Sequence, residues 1–397
     1  MIFANQIHLL PRMKTQNCFA AFLAIAFASG VQAQPIPNIS TGADLAFNPP
    51  PGLTTLVAGR FNFTTINIPV GALIQFTKSP DNSPVYFLAQ GDVTIAGNID
   101  VNGDGGTALR GGLGGPGGFD GGNPGIAGSG PGDGLGPGAG QGGTADGSIA
   151  GGNAAYGTAP TASPSPRDGQ VYGTQLLIPL VGGSGGGGSG PVNNQPGTGI
   201  GGGGGGGAIL IASSTRITHT GRITAGGAWN GGRGTGSGGA IRLLAPVISG
   251  AGILEVWGWT TGYGHGRVRC DMVDRSNFNL SIQPPPPQAP QTVDQFLPLV
   301  FPPNLPSLRL VSVAGQAVPA GSASGFTITL PLNAPASQLV VVEATGFGVD
   351  APVAVKLTPL SGNAAAAFEG VIPDGAQIPI TAQFPPNVPV TVNVWTR

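Results

Sequence analysis

The sequence predicts an all-β chain: a short parallel β-solenoid carrying a long glycine-rich insertion, followed by a β-sandwich. Three observations predict it. Gly207-Ala208-Ile209-Leu210-Ile211-Ala212 recurs 32 residues later as Gly239-Ala240-Ile241-Arg242-Leu243-Leu244. Of the 73 glycines, 43 fall within residues 103–207. Residues 305–397 carry short β-branched runs separated by glycine and proline, as the strands of a sandwich are.

The chain opens on an export signal. Arg12 and Lys14 lead into the apolar run from Phe19 to Ala28, and Val31-Gln32-Ala33 supplies a small-residue cleavage site, so residues 1–33 read as a signal peptide. The mature protein is expected to begin near Gln34, with translation starting as late as Met13. No later apolar run reaches the roughly 20 residues that cross a bilayer without meeting glycine, proline or charge. Cys18 lies early in the signal's apolar run, so Cys270 is the one mature cysteine, which excludes an intramolecular disulfide and a paired-cysteine metal site. Beyond the signal, 14 basic residues face 17 acidic ones, a balance that gives no steering toward nucleic acid. Only 8% of the chain is charged, so a repetitive surface of Ser, Thr, Asn and bare backbone must face water.

Residues 34–102 form an N-terminal β region ending in the first coil. Phe61-Asn62-Phe63 and Ala72-Leu73-Ile74-Gln75-Phe76 alternate with period 2, and Tyr86-Phe87-Leu88-Ala89, Val93-Thr94-Ile95, Gly97 and Ile99-Asp100-Val101 make up that coil. Residues 208–281 hold the remaining coils. After each Gly-Ala-Ile element comes an Ile or Val pair, a glycine corner and a second short strand: Ile217, Gly221 and Ile223-Thr224-Ala225, then Val247-Ile248, Gly252 and Leu254-Glu255-Val256. Three aligned copies indicate a repeat, and a fourth, partial coil begins at Gly266-Arg267-Val268-Arg269-Cys270. Residues 282–304, with Pro284 to Pro287 and Pro302-Pro303, read as a stiff linker. In 305–397 the runs Leu308 to Val313, Phe326 to Leu330, Leu339 to Glu343, Val353 to Leu357 and Val390 to Trp395 suggest a sandwich of immunoglobulin-like architecture.

Residues 103–207 are one insertion between coils. In Gly111-Gly112-Leu113-Gly114-Gly115-Pro116-Gly117-Gly118-Phe119 the glycine pairs recur every three residues, the period of a polyproline-II-type helix. Such helices have no internal hydrogen bonds, so their amides must find neighbours. Side-by-side packing would supply them, with Leu113, Phe119, Ile126 and Leu135 placed between the rods. The competing expectation is a disordered low-complexity linker.

Two groups of residues are candidate sites. Asp100-Val101-Asn102-Gly103-Asp104-Gly105 matches the first half of a calcium loop, with Asp100, Asn102 and Asp104 as oxygen ligands, but Gly111 stands where a bidentate glutamate belongs. The default for that segment is an acidic turn. Alignment of coils puts Leu254 and Val256 inward, so Glu255, Trp257 and Trp259 point outward, with Trp229 and Tyr263 on nearby loops. Exposed aromatics in one place form a platform for sugar rings or an apolar partner. The bland alternative is that glycine segments cover them. The same alignment stacks Asp100, Thr224 and Glu255 in one outward column. The two carboxylates are then roughly 10 Å apart, a little beyond the span of inverting glycosidases. Gly264-His265-Gly266 with Arg267 and Arg269 is similar to the Gly-His-Gly and Arg-x-Lys elements of polygalacturonases, but the paired aspartates of that family are missing here. No Ser nucleophile elbow or metal constellation accompanies them, so no catalytic residue is assigned.

The Gly-Gly-Ala-Ile-x-Leu element followed by a Gly-x-Ile turn, over residues 61–269, resembles uncharacterised secreted glycine-rich β-solenoid proteins of bacteria. The glycine tract is similar in composition to the polyglycine bundles of host-recognising adhesins of tailed phages. The expectation is an exported structural or adhesive protein of the cell surface or extracellular space, without a cofactor unless calcium, whose partner is a glycan or a surface protein. An extracellular carbohydrate-binding protein is the alternative, and a polysaccharide-cleaving solenoid enzyme the remote one.

Overall fold

A computed structural model describes residues 39–125, 130–191, 199–229, 234–286, 288–295, 306–319, 325–347, 349–359 and 365–396. The expected signal peptide, Met13, Gln34 and Ile126 lie outside the described residues. The described chain is all β, with parallel sheets followed by antiparallel ones, and no helix occurs among these residues.

The parallel part is built by repetition. After β1 (Gly52–Val57), the triplet β2 (Arg60–Phe63), β3 (Ile66–Ile68) and β4 (Ala72–Thr77) places one strand in each of three sheets. The triplets β5 (Val85–Ala89), β6 (Val93–Ile95), β7 (Asn98–Asp100) and β8 (Ala208–Ser213), β9 (Arg216–His219), β10 (Arg222–Thr224) repeat the order, as does β11 (Ala240–Leu244), β12 (Val247–Ser249), β13 (Ile253–Glu255). Next come β14 (Arg267–Met272), β15 (Ser281–Gln283) and β16 (Gln291–Gln295). The sheets run β1-β4-β7-β10-β13-β15, β2-β5-β8-β11-β14-β16 and β3-β6-β9-β12, and are called here the first, second and third. Isolated bridges from Val247 to Asp274 and from Gly250 to Phe278 continue the third sheet's edge, so the copy of the repeat expected to be partial reaches all three sheets. Part of the expected linker is likewise in the sheets. Pro284, Pro285 and Pro286 fall between the paired stretches Ser281–Gln283 and Gln291–Gln295, where the ladder needs no amide from them.

Register explains the core. Ile74, Ile99, Ile223, Leu254 and Ile282 are successive partners across the first sheet, and Phe61, Phe87, Ile211, Leu243, Cys270 and Val293 across the second. Period-2 alternation turns both columns inward, where they join one apolar cluster. Burial in that column pushes the Cys270 thiol well above its ordinary pKa, so it behaves as a small apolar residue. At the β2–β4 end the columns are closed by Phe47, Phe61, Phe63, Phe76 and Phe87, whose rings meet edge-on, tilted or stacked at centroid distances of 5.0 to 6.2 Å.

The insertion between β7 and β8 does two jobs. Its later part lays Tyr156, Leu177 and Leu180 on the outer face of the second sheet, against Leu88, Leu210 and Leu244, which is why β8 and β11 are buried on both faces. Its glycine segments hydrogen-bond to one another in a threefold rotation. From Gly201 to Gly207, successive N–H groups donate to Thr107, Gly122, Gly234, Asp104, Phe119, Ser237 and Val101 in turn, so every third amide returns to the same neighbouring segment. The carbonyls of Gly202 and Gly205 accept from Gly112 and Gly115, those of Gly203 and Gly206 from Gly186 and Gly183, and that of Gly204 from Ala228. Six segments therefore surround this one. A Cβ on Gly202 would stand 2.0 Å from the Gly186 carbonyl oxygen, so the spacing admits glycine alone. Of the apolar residues expected between these segments, Leu113 is exposed, Leu135 is half-buried and Phe119 packs edge-on against Trp395 at 5.8 Å. Around 201–207 the segments stand too close to admit a side chain, while elsewhere in the array small polar ones fit: Ser184 and Ser237 are buried, and Ser237 Oγ accepts the Ser184 N–H at 2.8 Å.

The C-terminal part comprises β17 (Ser307–Val313), β18 (Gln316–Ala317), β19 (Phe326–Thr329), β20 (Ser337–Thr345), β21 (Ala351–Pro359), β22 (Ala365–Ile372), β23 (Gln377–Gln383) and β24 (Pro389–Thr396). They form two four-stranded antiparallel sheets, β18-β17-β20-β23 and β19-β24-β21-β22, that share a core including Val340, Val342, Val353, Val355 and Val392. This part meets the insertion through Phe119 and Trp395 and through an ion pair of 3.3 Å between Lys356 and Asp133.

Candidate functional site

The glycine array fixes where its turns lie. Residues 201–207 run antiparallel to 101–107, as the pairs Gly201 with Thr107, Gly204 with Asp104 and Gly207 with Val101 show. The turn at 107–110 is therefore at the end remote from the strands. Residues 140–143 run parallel to 185–188, and Ser189 donates to Ile200, so the turn at 144–149 lies at the same end. Leu109, 91% exposed, and Ile149 are the apolar side chains these two turns present.

Trp229 and Trp259 belong to that end. Each follows a strand of the first sheet: β10 continues through Gly226 and Gly227 to Trp229, and β13 through Trp257 and Gly258 to Trp259. Gly227 donates to the Trp257 carbonyl, which sets the two stretches side by side. Their indoles stack at 5.1 Å with planes 13° apart, and the rings remain 41% and 47% exposed. Of the four aromatics expected in one platform, the structure brings these two together. Trp257 is half-buried and meets His265 edge-on at 5.3 Å, while Tyr263 is half-buried in a turn closed by its N–H to the Thr260 carbonyl. His265 is buried, and its Nδ1 accepts the Gly258 N–H at 3.2 Å. Burial pulls its pKa down to about 4, so the imidazole is neutral and serves as a strut beneath Trp257.

The outward column has the expected register, Asp100 with Thr224 and Thr224 with Glu255. Both carboxylates have local partners. Glu255 pairs with Arg222 at 3.1 Å, and Asp100 accepts the Asn102 N–H at 2.8 Å and the Thr224 hydroxyl at 3.4 Å. Asn102 Oδ1 accepts the Gly226 N–H, which leaves the residues of the supposed calcium loop facing different partners. The exposed Asp104 uses its backbone to bridge Leu113 and Gly204. Among the described residues no group of three or more His, Cys, Asp or Glu side chains is placed to hold a metal ion.

Sequence reasoning missed one ionic cluster. Arg242 and Arg269 are register partners on the outer face of the second sheet, both essentially unexposed, and they share Asp271. Asp271 Oδ2 accepts from Arg242 Nε at 3.0 Å and Nη2 at 2.8 Å and from Arg269 Nε at 3.0 Å. Superposing Gly239-Ala240-Ile241-Arg242 on Gly266-Arg267-Val268-Arg269 would have stacked the two guanidinia and called for a carboxylate between them.

No protein-family model matches this sequence, and neither a curated protein nor a solved structure is found to match it.

Proposed function

We propose that this chain is an exported structural or adhesive protein in which a β-solenoid, formed by the three parallel sheets, carries a polyglycine-II-type array that presents turns to a partner. An immunoglobulin-like sandwich formed by the antiparallel sheets buttresses the array from the side. The observation that carries the reading is the threefold rotation of amide donors from Gly201 to Gly207, which is the bonding of packed three-residue helices. A segment bonded on six sides is a stiff support, and stiff supports lower the entropy cost of binding at the turns they hold. Glycine does this with little surface charge, consistent with a chain that is 8% charged.

The test is adsorption of the fluorescently labelled full chain to intact bacterial cells and to insoluble cell-wall polysaccharide, compared with a variant carrying Leu109→Ser and Ile149→Ser. Saturable binding that falls at least tenfold in the variant, with an unchanged circular-dichroism spectrum, supports presentation by the turns. Binding to neither surface, or binding indifferent to the variant, sinks it.

The stacked, half-exposed Trp229 and Trp259 favour a second reading, a carbohydrate-binding surface, because an indole face left open stacks on sugar rings. Trp259→Ala would then abolish retention on a polysaccharide column that Leu109→Ser leaves intact.

A further inference from the structure

A cavity of about 340 Å³ lies where the outer face of the second parallel sheet, the insertion and the antiparallel sheets meet. Its apolar wall includes Phe119, Leu177 and Leu180 of the insertion and Leu308, Phe347 and Trp395 of the antiparallel part. Two residues with polar groups, Trp395 and Arg242, also line the cavity, both of them buried. The indole N–H of buried Trp395 has no hydrogen-bond partner among the described residues, and leaving a buried donor so is costly in a protein interior. Arg242 reaches the cavity from the buried ionic cluster.

Charge at that cluster is unbalanced. Two guanidinia share the one buried carboxylate of Asp271, while the next acid, Asp294, stands 3.9 Å from Arg269, is more than half exposed, and also faces Arg275 at 3.9 Å. Water screens such a distant, exposed partner strongly. The other charges of the cavity are already used: Lys78 pairs with Asp120 at 2.6 Å, and Asp81 is exposed at the rim with its oxygens on Ser79 and Ser83. An anionic acceptor attached to an apolar body would complement Arg242, the unpartnered indole N–H and the apolar wall.

We infer that the cavity binds a monocarboxylate with an alkyl or aryl body, its carboxylate compensating Arg242 and accepting from Trp395 and its body lying on Leu177, Leu180 and Phe347. At about 30 Å³ for a water-sized group, the volume holds roughly ten heavy atoms. The site is independent of the exposed turns and tryptophans at the far end of the glycine array.

Calorimetric titration of the full chain with decanoate, decan-1-ol and decylamine tests this. Decanoate should bind at one site per chain, at least tenfold tighter than decan-1-ol, with decylamine silent. Ser307→Trp, which fills the cavity from its rim, should abolish decanoate binding at an unchanged melting temperature. If that variant does not fold, Trp395→Phe keeps the test open, with an expected loss of at least fivefold. Equal binding of all three probes, no decanoate binding at millimolar concentration, or decanoate binding unmoved by both variants would overturn the inference.

Discussion

The parallel sheets and the glycine array satisfy their backbone amides in different ways, and side chains have opposite roles in them. In the sheets each interior strand bonds to two neighbours, and the columns Ile74-Ile99-Ile223-Leu254-Ile282 and Phe61-Phe87-Ile211-Leu243-Cys270-Val293 contribute the apolar burial that offsets chain entropy. In the array the central segment 201–207 bonds all around, and the space a side chain on its glycines would fill is taken by the next backbone. Such a bundle gains little hydrophobic burial of its own, so its order depends on anchoring. It has that at both ends of the insertion, where Val101 leaves β7 and Ala208 enters β8 with their amides bonded to Thr224 and Pro116. The lesson is that glycine here acts as the packing unit, and its replacement should be worse than loss of a core methyl group.

Substitution at Gly204 tests this at the largest scale. Its Cβ would stand 2.1 Å from the Leu113 carbonyl oxygen and against two further backbone atoms. Gly204→Ala should cost on the order of 4 kcal/mol or prevent folding. Gly315→Ala, in the turn between β17 and β18 with positive φ but open space around it, should cost only about 1 kcal/mol. Urea denaturation of both variants measures the contrast, and equal costs would remove the distinction between a packing glycine and a turn glycine. Asp271→Asn should follow at about 3 to 5 kcal/mol, since it leaves two buried guanidinia facing each other. Ile223→Ala, in the middle of its column, should cost about 3 kcal/mol, with the array's amides unaffected in hydrogen exchange. If the array's protection collapses together with that column, the two regions are one cooperative unit.

Much of this comparison was legible in the sequence. The alignment of the copies predicted the register: Ala208 pairs with Ala240 at the 32-residue recurrence, and Ile99, Ile223 and Leu254 are ladder partners, as the alignment required. The glycine phase foretold hydrogen bonding between segments because a three-residue period leaves no other partner for the amides. What escaped depends on what covers an outward face. Alternation marks Arg242 and Arg269 as outward but says nothing of Tyr156, Leu177 and Leu180 arriving from the insertion to bury that face. Phe119 could not be assigned to Trp395 without knowing how the antiparallel part is placed. Strands β22 and β23 were missed for a local reason: Ala365 to Ala367 are weak strand formers, and Pro379 is tolerated only because β23 is an edge strand. At the site itself, the outward aromatics were legible individually, but the pairing of Trp229 with Trp259 required the two loops to be set side by side.

Acid should separate the regions next. His219 ends the column Ile68-Ile95-His219, with Nδ1 at 3.4 Å from the Ile95 carbonyl and Nε2 at 3.2 Å from that of Ile253, and His265 sits under Trp257. Burial lowers both pKa values, His265 to about 4. Unfolded histidines take up protons near 6.5, so the unfolded chain binds more protons below that pH, and stability falls as pH drops from about 6.5 toward 4. The contribution is complete above pH 6.5. The urea midpoint should therefore fall between pH 7 and pH 4.5, and His265→Gln, which can still accept the Gly258 N–H, should flatten part of that slope. A slope identical in the variant would assign the whole effect to other groups.

The smallest effect is expected on the outward column of the first sheet. Arg222 is half-exposed where it meets Glu255, so water screens the pair and its side chains retain most of their freedom. Arg222→Ala should change stability by no more than about 0.5 kcal/mol, and the difference should shrink further in 1 M salt. Asp271→Asn sits one sheet away with the same kinds of groups, and its much larger expected cost comes entirely from the layer of insertion that excludes water there. A loss above 2 kcal/mol from Arg222→Ala would mean that the outward column is also covered in solution. That would shift the comparison: the first sheet's outer face would then be an occupied surface, with Trp257 and Glu255 belonging to the contact.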